Sequence, residues 1–404
     1  MSMSTTMASD PVRGPTAELL DRVERIAPLL EAEAGAAEAN RRLSGEVWDA
    51  MAEAGLVAMM APRAYGGFEL APADAMPVWE AVARADPSAA WNLVMNQAIA
   101  ASIAWLPAET AREILRDGPT TIAGALNPPA AAHRVDGGWR VTGQCPFGSG
   151  CHNAAWLALP AVEMDGDQPK VDPATGHPAP FGVLVPRAQA TILDTWHTIG
   201  MRGTGSHDFA VRDLFVPDER TIPIEPLKNP APGFEGPLYR MWPLCGMFGE
   251  GSVSVAVAAA AVEEAVELCR TKTPAYNTVP LREQQLAQFQ IGKAKARVDA
   301  ARDTLYRAAV EGYDDVVRSG ALLSVDAKIR IQLAMCFAAE ACAEAVRWVN
   351  DVVGASSIRL GQPFERHFRD VHTLLQHSDK SSARYASAGR LMFGLDNDWV
   401  WLSF

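Results

Sequence analysis

Three side chains have the chemistry of a proton-handling site. His377 stands in His372-Thr-Leu-Leu-Gln-His377-Ser378-Asp379-Lys380, and an imidazole titrates near neutrality, so it can both give and take a proton. Glu250, in Met247-Phe-Gly-Glu-Gly, offers a carboxylate base, and Asp379 offers a shorter one. Ser149, in Pro146-Phe-Gly-Ser149-Gly, offers a hydroxyl, and Asn96 an amide that donates and accepts but takes no proton at neutral pH. Each has a plainer use. His377 has imidazole neighbours in His367 and His372, Ser149 fits a turn that satisfies its own backbone, and Asn96 fits a polar helix face. Tyr239, Met241, Trp242 and Met247 either line a flat apolar pocket for an aromatic ligand or fill a core.

Composition narrows the function classes. The 36 basic and 48 acidic residues give a net charge of -12, which disfavours nucleic acid and anionic membrane as partners. No basic stripe with interleaved aromatics is present. The six cysteines (Cys145, Cys151, Cys245, Cys269, Cys336, Cys342) lack the partner ligands of a zinc site, so free thiols in a reducing cytoplasm are expected and no metal. The apolar run Val253 to Val262 is too short to span a bilayer, and the first residues have no secretory pattern.

The elements that must position these groups fall into three expected units. In residues 1–120, Leu19, Val23, Ile26 and Leu30 recur at helical spacing, Ser44 opens a second segment, and Asp86-Pro87 reads as an N-cap followed by proline at the first helical position. In residues 121–227 the period shortens. Trp139-Arg-Val-Thr-Gly, Ala154 to Leu159, Phe181 to Val185 and Asp208 to Val216 read as strands, with Asp136-Gly137-Gly138 as a hairpin turn. In residues 238–404, Val257 to Cys269, Glu283 to Val317, Asp326 to Val349 and Pro363 to Leu391 predict four long helices. The second carries Leu286, Phe289, Ala294, Val298, Ala301 and Leu305 on one face. The expected class is mainly α with a central β domain. Alanine-rich faces suggest burial in an oligomer.

The order α-β-α, the run Ile199-Gly-Met-Arg-Gly-Thr-Gly-Ser-His-Asp, the segment Val211-Arg-Asp-Leu-Phe-Val-Pro217 and the terminal Pro363-Phe-Glu-Arg-His-Phe-Arg-Asp370 resemble the acyl-CoA dehydrogenase fold. That resemblance implies an N-terminal helical domain, a β-barrel middle domain and a C-terminal four-helix bundle. Ala125-Leu-Asn-Pro-Pro, Pro146-Phe-Gly-Ser149-Gly, Trp196-His-Thr-Ile-Gly-Met-Arg-Gly-Thr-Gly and His377 after Arg369-Asp370 resemble the two-component flavin-dependent monooxygenases of that superfamily. Where common dehydrogenases carry a catalytic glutamate followed by Gly-Thr, this chain has His377-Ser378-Asp379-Lys380.

The resemblance implies reduced FMN or FAD supplied by a separate flavin reductase, O2 as co-substrate, a small aromatic or heteroaromatic substrate, and a homotetramer or homodimer. It implies His377 as the active histidine and Ser149 near flavin N5. Asn127, Ser149, Trp196, Arg202, Ser206, Gly354 and Ser356 are the implied flavin contacts, and Tyr239, Trp242 and Met247 the expected substrate contacts. Asn96 stands where some relatives carry a second histidine, so a non-phenolic substrate stays open. An acyl-CoA dehydrogenase with Glu250 as its base is the alternative.

Overall fold

The computed structural model describes residues 14–125, 129–173, 176–223 and 230–403. The first unit contains α1 (Pro15–Asn40), α2 (Gly45–Glu53), α3 (Pro72–Ala85), α4 (Pro87–Ala100) and α5 (Ala108–Ile114). Ser44 caps α2, its hydroxyl accepting from Val47 N at 3.3 Å. Asp86 caps α4 with a bond from Ser88 N at 3.2 Å, and Pro87 follows at the first helical position, as the Asp-Pro step predicts. The helix so anchored carries Trp91, Asn92 and Asn96, all buried.

A mixed sheet follows, made of β1 (Ile122–Gly124), β2 (Ala130–Val135), β3 (Gly138–Gly148), β4 (Trp156–Asp165), β5 (Gln168–Pro169), β6 (Pro180–Pro186), β7 (Thr191–Leu193), β8 (His207–Pro217) and β9 (Thr221–Pro223). The strand order is β7-β8-β3-β2-β4-β6-β9, with β1 and β5 also paired to β4. β2 and β3 form the hairpin, Val135 opposite Gly138, around Gly137 at φ 71°. Among the described residues no pairing joins β7 to β9, so the hydrogen bonds define an open-ended sheet where a closed barrel is expected. One core lies inside this sheet, around Val141, Leu157, Val183 and Phe209.

The last unit is built on α6 (Cys245–Thr271), α7 (Gln285–Ser319) and α8 (Val325–Val353), followed by α9 (Pro363–Leu374) and α10 (Ala383–Met392). α6 begins well before the alanine run. Its length and hydropathy would suffice to cross a membrane, but its apolar stretch is wholly buried as the central helix of the bundle. On α7 the inward stripe is Ala294, Val298, Ala301 and Leu305, whereas Leu286 and Phe289 are exposed at 69% and 63%. In its first two turns α7 instead buries Ala287, in a small cluster with Cys269 and Val352, leaving Leu286 and Phe289 outside. The six cysteines are all free and buried.

The predicted helix over Pro363–Leu391 is broken. α9 stops at Leu374, His377 takes an extended ψ of 141°, Ser378–Lys380 form one 3-10 turn, and Ser381 is extended again before α10. Ser381 contributes to the break, because a serine side chain competes for nearby backbone groups. Ser381 Oγ accepts from Ala383 N at 3.3 Å, and Gln332 on α8 fills a freed acceptor, its Nε2 donating to Asp379 O at 2.8 Å. His377 therefore sits at a helix break, which aims its ring inward across the bundle.

Candidate active site

Three chain segments meet at His377: the break after α9, Glu250 on α6, and Trp91 on α4. His377 Nδ1 lies 3.1 Å from Glu250 Oε2 and 3.7 Å from Asp379 Oδ2. Lys380 Nζ is 3.6 Å from the same Glu250 oxygen and 4.5 Å from the centroid of the Trp91 ring. Trp91 meets the imidazole edge-on, with ring centroids 5.3 Å apart. Lys380 and Glu250 are almost wholly buried, but a third of the His377 side chain stays accessible. With Nδ1 against the carboxylates, Nε2 is the ring nitrogen left to meet a ligand.

Burial and charge oppose one another in this cluster. Burial lowers the His377 pKa, yet the neighbouring Glu250 and Asp379 carboxylates outweigh it and hold the imidazole above its usual 6.5. Burial raises Glu250, and His377 with Lys380 overcome that to hold it below the usual carboxylate range. Asp379 is pushed up to about 6 by burial, against the pull of His377. Burial lowers Lys380, despite both carboxylates. Two cations and two anions therefore balance, yet Glu250 Oε2, His377 Nδ1 and Lys380 Nζ are close without the alignment of formed hydrogen bonds. Glu250, His377 and Asp379 offer ligand atoms within 4.8 Å of one another, but the ammonium of Lys380 already supplies a cation there.

Trp91 links this cluster to Ser149. Its indole N–H donates to Ser149 Oγ at 3.2 Å, Ser149 Oγ lies 2.7 Å from Ser206 Oγ, and Ser206 Oγ lies 2.7 Å from Thr204 Oγ1. Asn96 Nδ2 donates to Asn92 O at 2.9 Å and to Ser149 O at 3.2 Å, so this amide positions the serine backbone. A side chain at Gly150, whose φ is 74°, would come within 2.7 Å of that Nδ2. The carbonyl oxygens Asn92 Oδ1 and Asn96 Oδ1 remain buried without partners. Such acceptors are costly unless a ligand's donor meets them.

The other expected residues fall around this centre. Trp196 is half-buried, its Nε1 donates to Met201 O at 3.0 Å, and it meets the exposed Phe147 ring edge-on at 6.3 Å. His207 sets the backbone before it: Nε2 faces Arg41 O at 3.1 Å, so Nδ1 accepts from Thr195 N and Trp196 N at 3.2 and 3.1 Å. Burial lowers the His207 pKa, in keeping with a neutral ring. Arg202 directs its Nε to Glu38 O on α1 at 3.3 Å, and Ser206 is engaged by Ser149 and Thr204, so both face partners inside the protein. Gly354 opens a 3-10 turn after α8, and Ser356 Oγ accepts from Lys272 Nζ at 2.8 Å. Asn127 lies outside the described residues.

Tyr239, Trp242 and Met247 have partners or packing within the helical units. The Tyr239 hydroxyl donates to Met60 O at 3.0 Å, and Trp242 Nε1 donates to Ala98 O at 2.9 Å while its ring packs on Trp105 and Trp401. Met247 is buried in the helical core. A small crevice near them is lined by Met60, Trp79, Gln97, Leu238 and Tyr239. Trp91, Asn92, Thr204 and Lys380 are brought to the centre without having been singled out from sequence. Only the tryptophan on a capped apolar helix carried any local signal.

Residues 18–114 match the family model "Acyl-CoA dehydrogenase, N-terminal domain", and residues 248–381 match "Acyl-CoA dehydrogenase, C-terminal domain". The chain belongs to the acyl-CoA dehydrogenase family. It is 30% identical to indole-3-acetate monooxygenase of Pseudomonas putida, over 96% of this chain and 95% of that protein. It is 28% identical to the oxygenase component of the FADH2-dependent resorcinol hydroxylase of a Rhizobium species, covering 95% of each. XiaF from Streptomyces sp., solved in complex with FADH2 and glycerol, superposes with a TM-score of 0.85 at 26% identity, over 95% of this chain and 97% of that one. Within the family, the chain stands with the flavin-dependent monooxygenases.

Proposed function

We propose that this protein is the oxygenase component of a two-component system, taking reduced FMN or FAD from a separate reductase and using O2 to oxygenate a small aromatic or heteroaromatic compound. The observation that carries the proposal is the buried His377–Glu250–Asp379–Lys380 cluster, joined through Trp91 to Ser149. Reduced flavin, when bound, supplies two electrons and activates the oxygen. Ser149 and Trp196 contact it, together with Asn127 and the Gly354 to Ser356 segment, and the unpartnered Asn92 and Asn96 oxygens fit a polar ligand at this place. His377, its pKa raised by its two carboxylates, keeps a proton at Nε2 for the reacting oxygen. The apolar ring of Trp91, edge-on to the imidazole, shields that proton from water.

The dehydrogenase alternative loses its base. Glu250 lies close to His377 and Lys380, whose charges hold its pKa below the usual carboxylate range, where a base that removes a carbon-bound proton works best poised near the operating pH. Two further parts belong to the proposal: a cytoplasmic protein, from its free cysteines, and, from the resemblance, a homotetramer or homodimer, in which the exposed Leu286 and Phe289 are covered. The test is anaerobic mixing with photoreduced FMN or FAD and a panel of indoles and phenols, then exposure to O2. Oxygenated product in excess of hydrogen peroxide is expected. A firmly bound oxidised FAD that an acyl-CoA bleaches would overturn the proposal.

A further inference from the structure

The hydroxyl chain at Ser149 has fixed ends. Thr204 Oγ1 stands 2.8 Å from Met201 O, and two oxygens so close need a hydrogen between them. A carbonyl has none to give, so Thr204 donates. Thr204 has then spent its only proton, and the bond at 2.7 Å to Ser206 must be donated by Ser206. The same step repeats: Ser206 has spent its proton, so the 2.7 Å bond to Ser149 is donated by Ser149. At the other end Trp91 N–H can only donate, and it does so to Ser149 Oγ. Every hydrogen in the chain Trp91, Ser149, Ser206, Thr204, Met201 therefore points one way. Ser149 is left with one free lone pair and no free proton.

We propose that Trp91, Ser206 and Thr204 are positioning residues that hold Ser149 as a pure acceptor, so that the site selects reduced over oxidised flavin. The inference rests on Ser149 being the flavin contact. Dihydroflavin carries an N–H at N5, which the free lone pair accepts; oxidised flavin has a bare nitrogen there, and two lone pairs would face each other. An acceptor that meets an acceptor forfeits the hydrogen bond and leaves both groups desolvated. The enzyme thereby discharges oxidised flavin after turnover and leaves its place to the reduced form.

The test is the ratio of dissociation constants for oxidised and reduced FMN and FAD, the reduced forms titrated anaerobically. The unaltered protein is expected to favour reduced flavin roughly tenfold or more. Ser206→Ala frees the Ser149 proton to rotate outward, so affinity for oxidised flavin rises and the ratio falls several-fold. Thr204→Val removes the acceptor for Ser206 and moves the ratio the same way, while Thr204→Ser retains the original value. Equal weakening of both flavin forms in Ser206→Ala and Thr204→Val, or an unchanged ratio in both, overturns the inference and leaves the flavin site standing. Binding of neither form to the unaltered protein overturns the functional proposal and this inference together.

Discussion

Two partly buried clusters of charge, one along α9 and one beyond its end, use similar residues to different ends. At the front of the helix, Asp86 Oδ1 accepts from Arg366 Nη2 at 2.7 Å, Arg366 Nε lies 3.4 Å from Asp370, and Asp370 Oδ1 accepts from Met201 N at 2.5 Å. Arg369 pairs with Glu38 at 2.6 Å and Glu365 at 2.7 Å and donates to Ile199 O at 2.6 Å. No buried side-chain nitrogen or oxygen of these residues lacks a partner. Beyond the end of the helix, the His377 cluster leaves three such atoms unaligned. Both contain an aspartate that burial pushes up to about 6, Asp86 and Asp379, so a raised carboxyl alone does not mark a site. What separates them is satisfaction: the first cluster ties α1, α4, α9 and the loop before β8 together, and the second keeps its groups uncommitted.

The sharpest way to break this contrast is His377→Ala. Product formation should fall by about 10²–10⁴, the usual worth of a positioned acid or base, with flavin affinity retained and stability lowered, because Glu250 and Asp379 lose a cation. A variant that turns over normally, measured with the compound found in the indole and phenol panel, ends the proposed role of the imidazole. Next in size is Arg366→Ala on the structural side. It leaves the buried Asp86 and Asp370 carboxyls without their cation, which should cost about 3–5 kcal/mol in denaturant unfolding. A loss below ~1 kcal/mol would mean that the front cluster ties nothing together.

Glu250→Gln is a finer probe, because it removes one of the two charges that raise His377. With an imidazolium required, activity is present below the His377 pKa and declines as pH rises through it. The alkaline limb of the rate profile should therefore move to lower pH in Glu250→Gln; a limb that stays in place assigns it to another group. Stability carries the same sign. The folded pKa of His377 lies above its unfolded value, so its contribution is complete below about 6.5 and is lost as pH rises through the folded value. The smallest effect is expected of Asp379→Asn, whose carboxyl already resists ionisation: a stability change within about 1 kcal/mol and a smaller shift of the same limb. A shift larger than that of Glu250→Gln would reverse the ranking of the two carboxylates.

The parts of the molecule legible in sequence are those set by short-range rules. Asp86-Pro87 announces α4, Gly137 announces the β2–β3 hairpin, and the three-unit order follows from periodicity. Arg369-Asp370 was legible as a motif, but its work is structural: it clamps the loop at Gly200, where an added Cβ would sit 2.2 Å from Arg369 O. The break at His377 was hidden because the pull of Ser381 on its own backbone matters only when α8 offers Gln332 to receive the freed carbonyl. Glu250 was visible as a carboxylate, though its partnership with His377 joins distant segments that no local pattern connects. The same holds for Trp91, Ser206 and Thr204, whose hydroxyl relay exists only once α4, β3 and β8 are packed together.

The central claim is that two carboxylates hold His377 as a proton donor in the site. It is tested most directly by NMR titration of imidazole-labelled protein, with the His377 signal assigned by its loss in His377→Gln. The expected result is a midpoint above 6.5 that drops in Glu250→Gln. A midpoint at or below 6.5 in the unaltered protein, or one indifferent to Glu250, would contradict the claim.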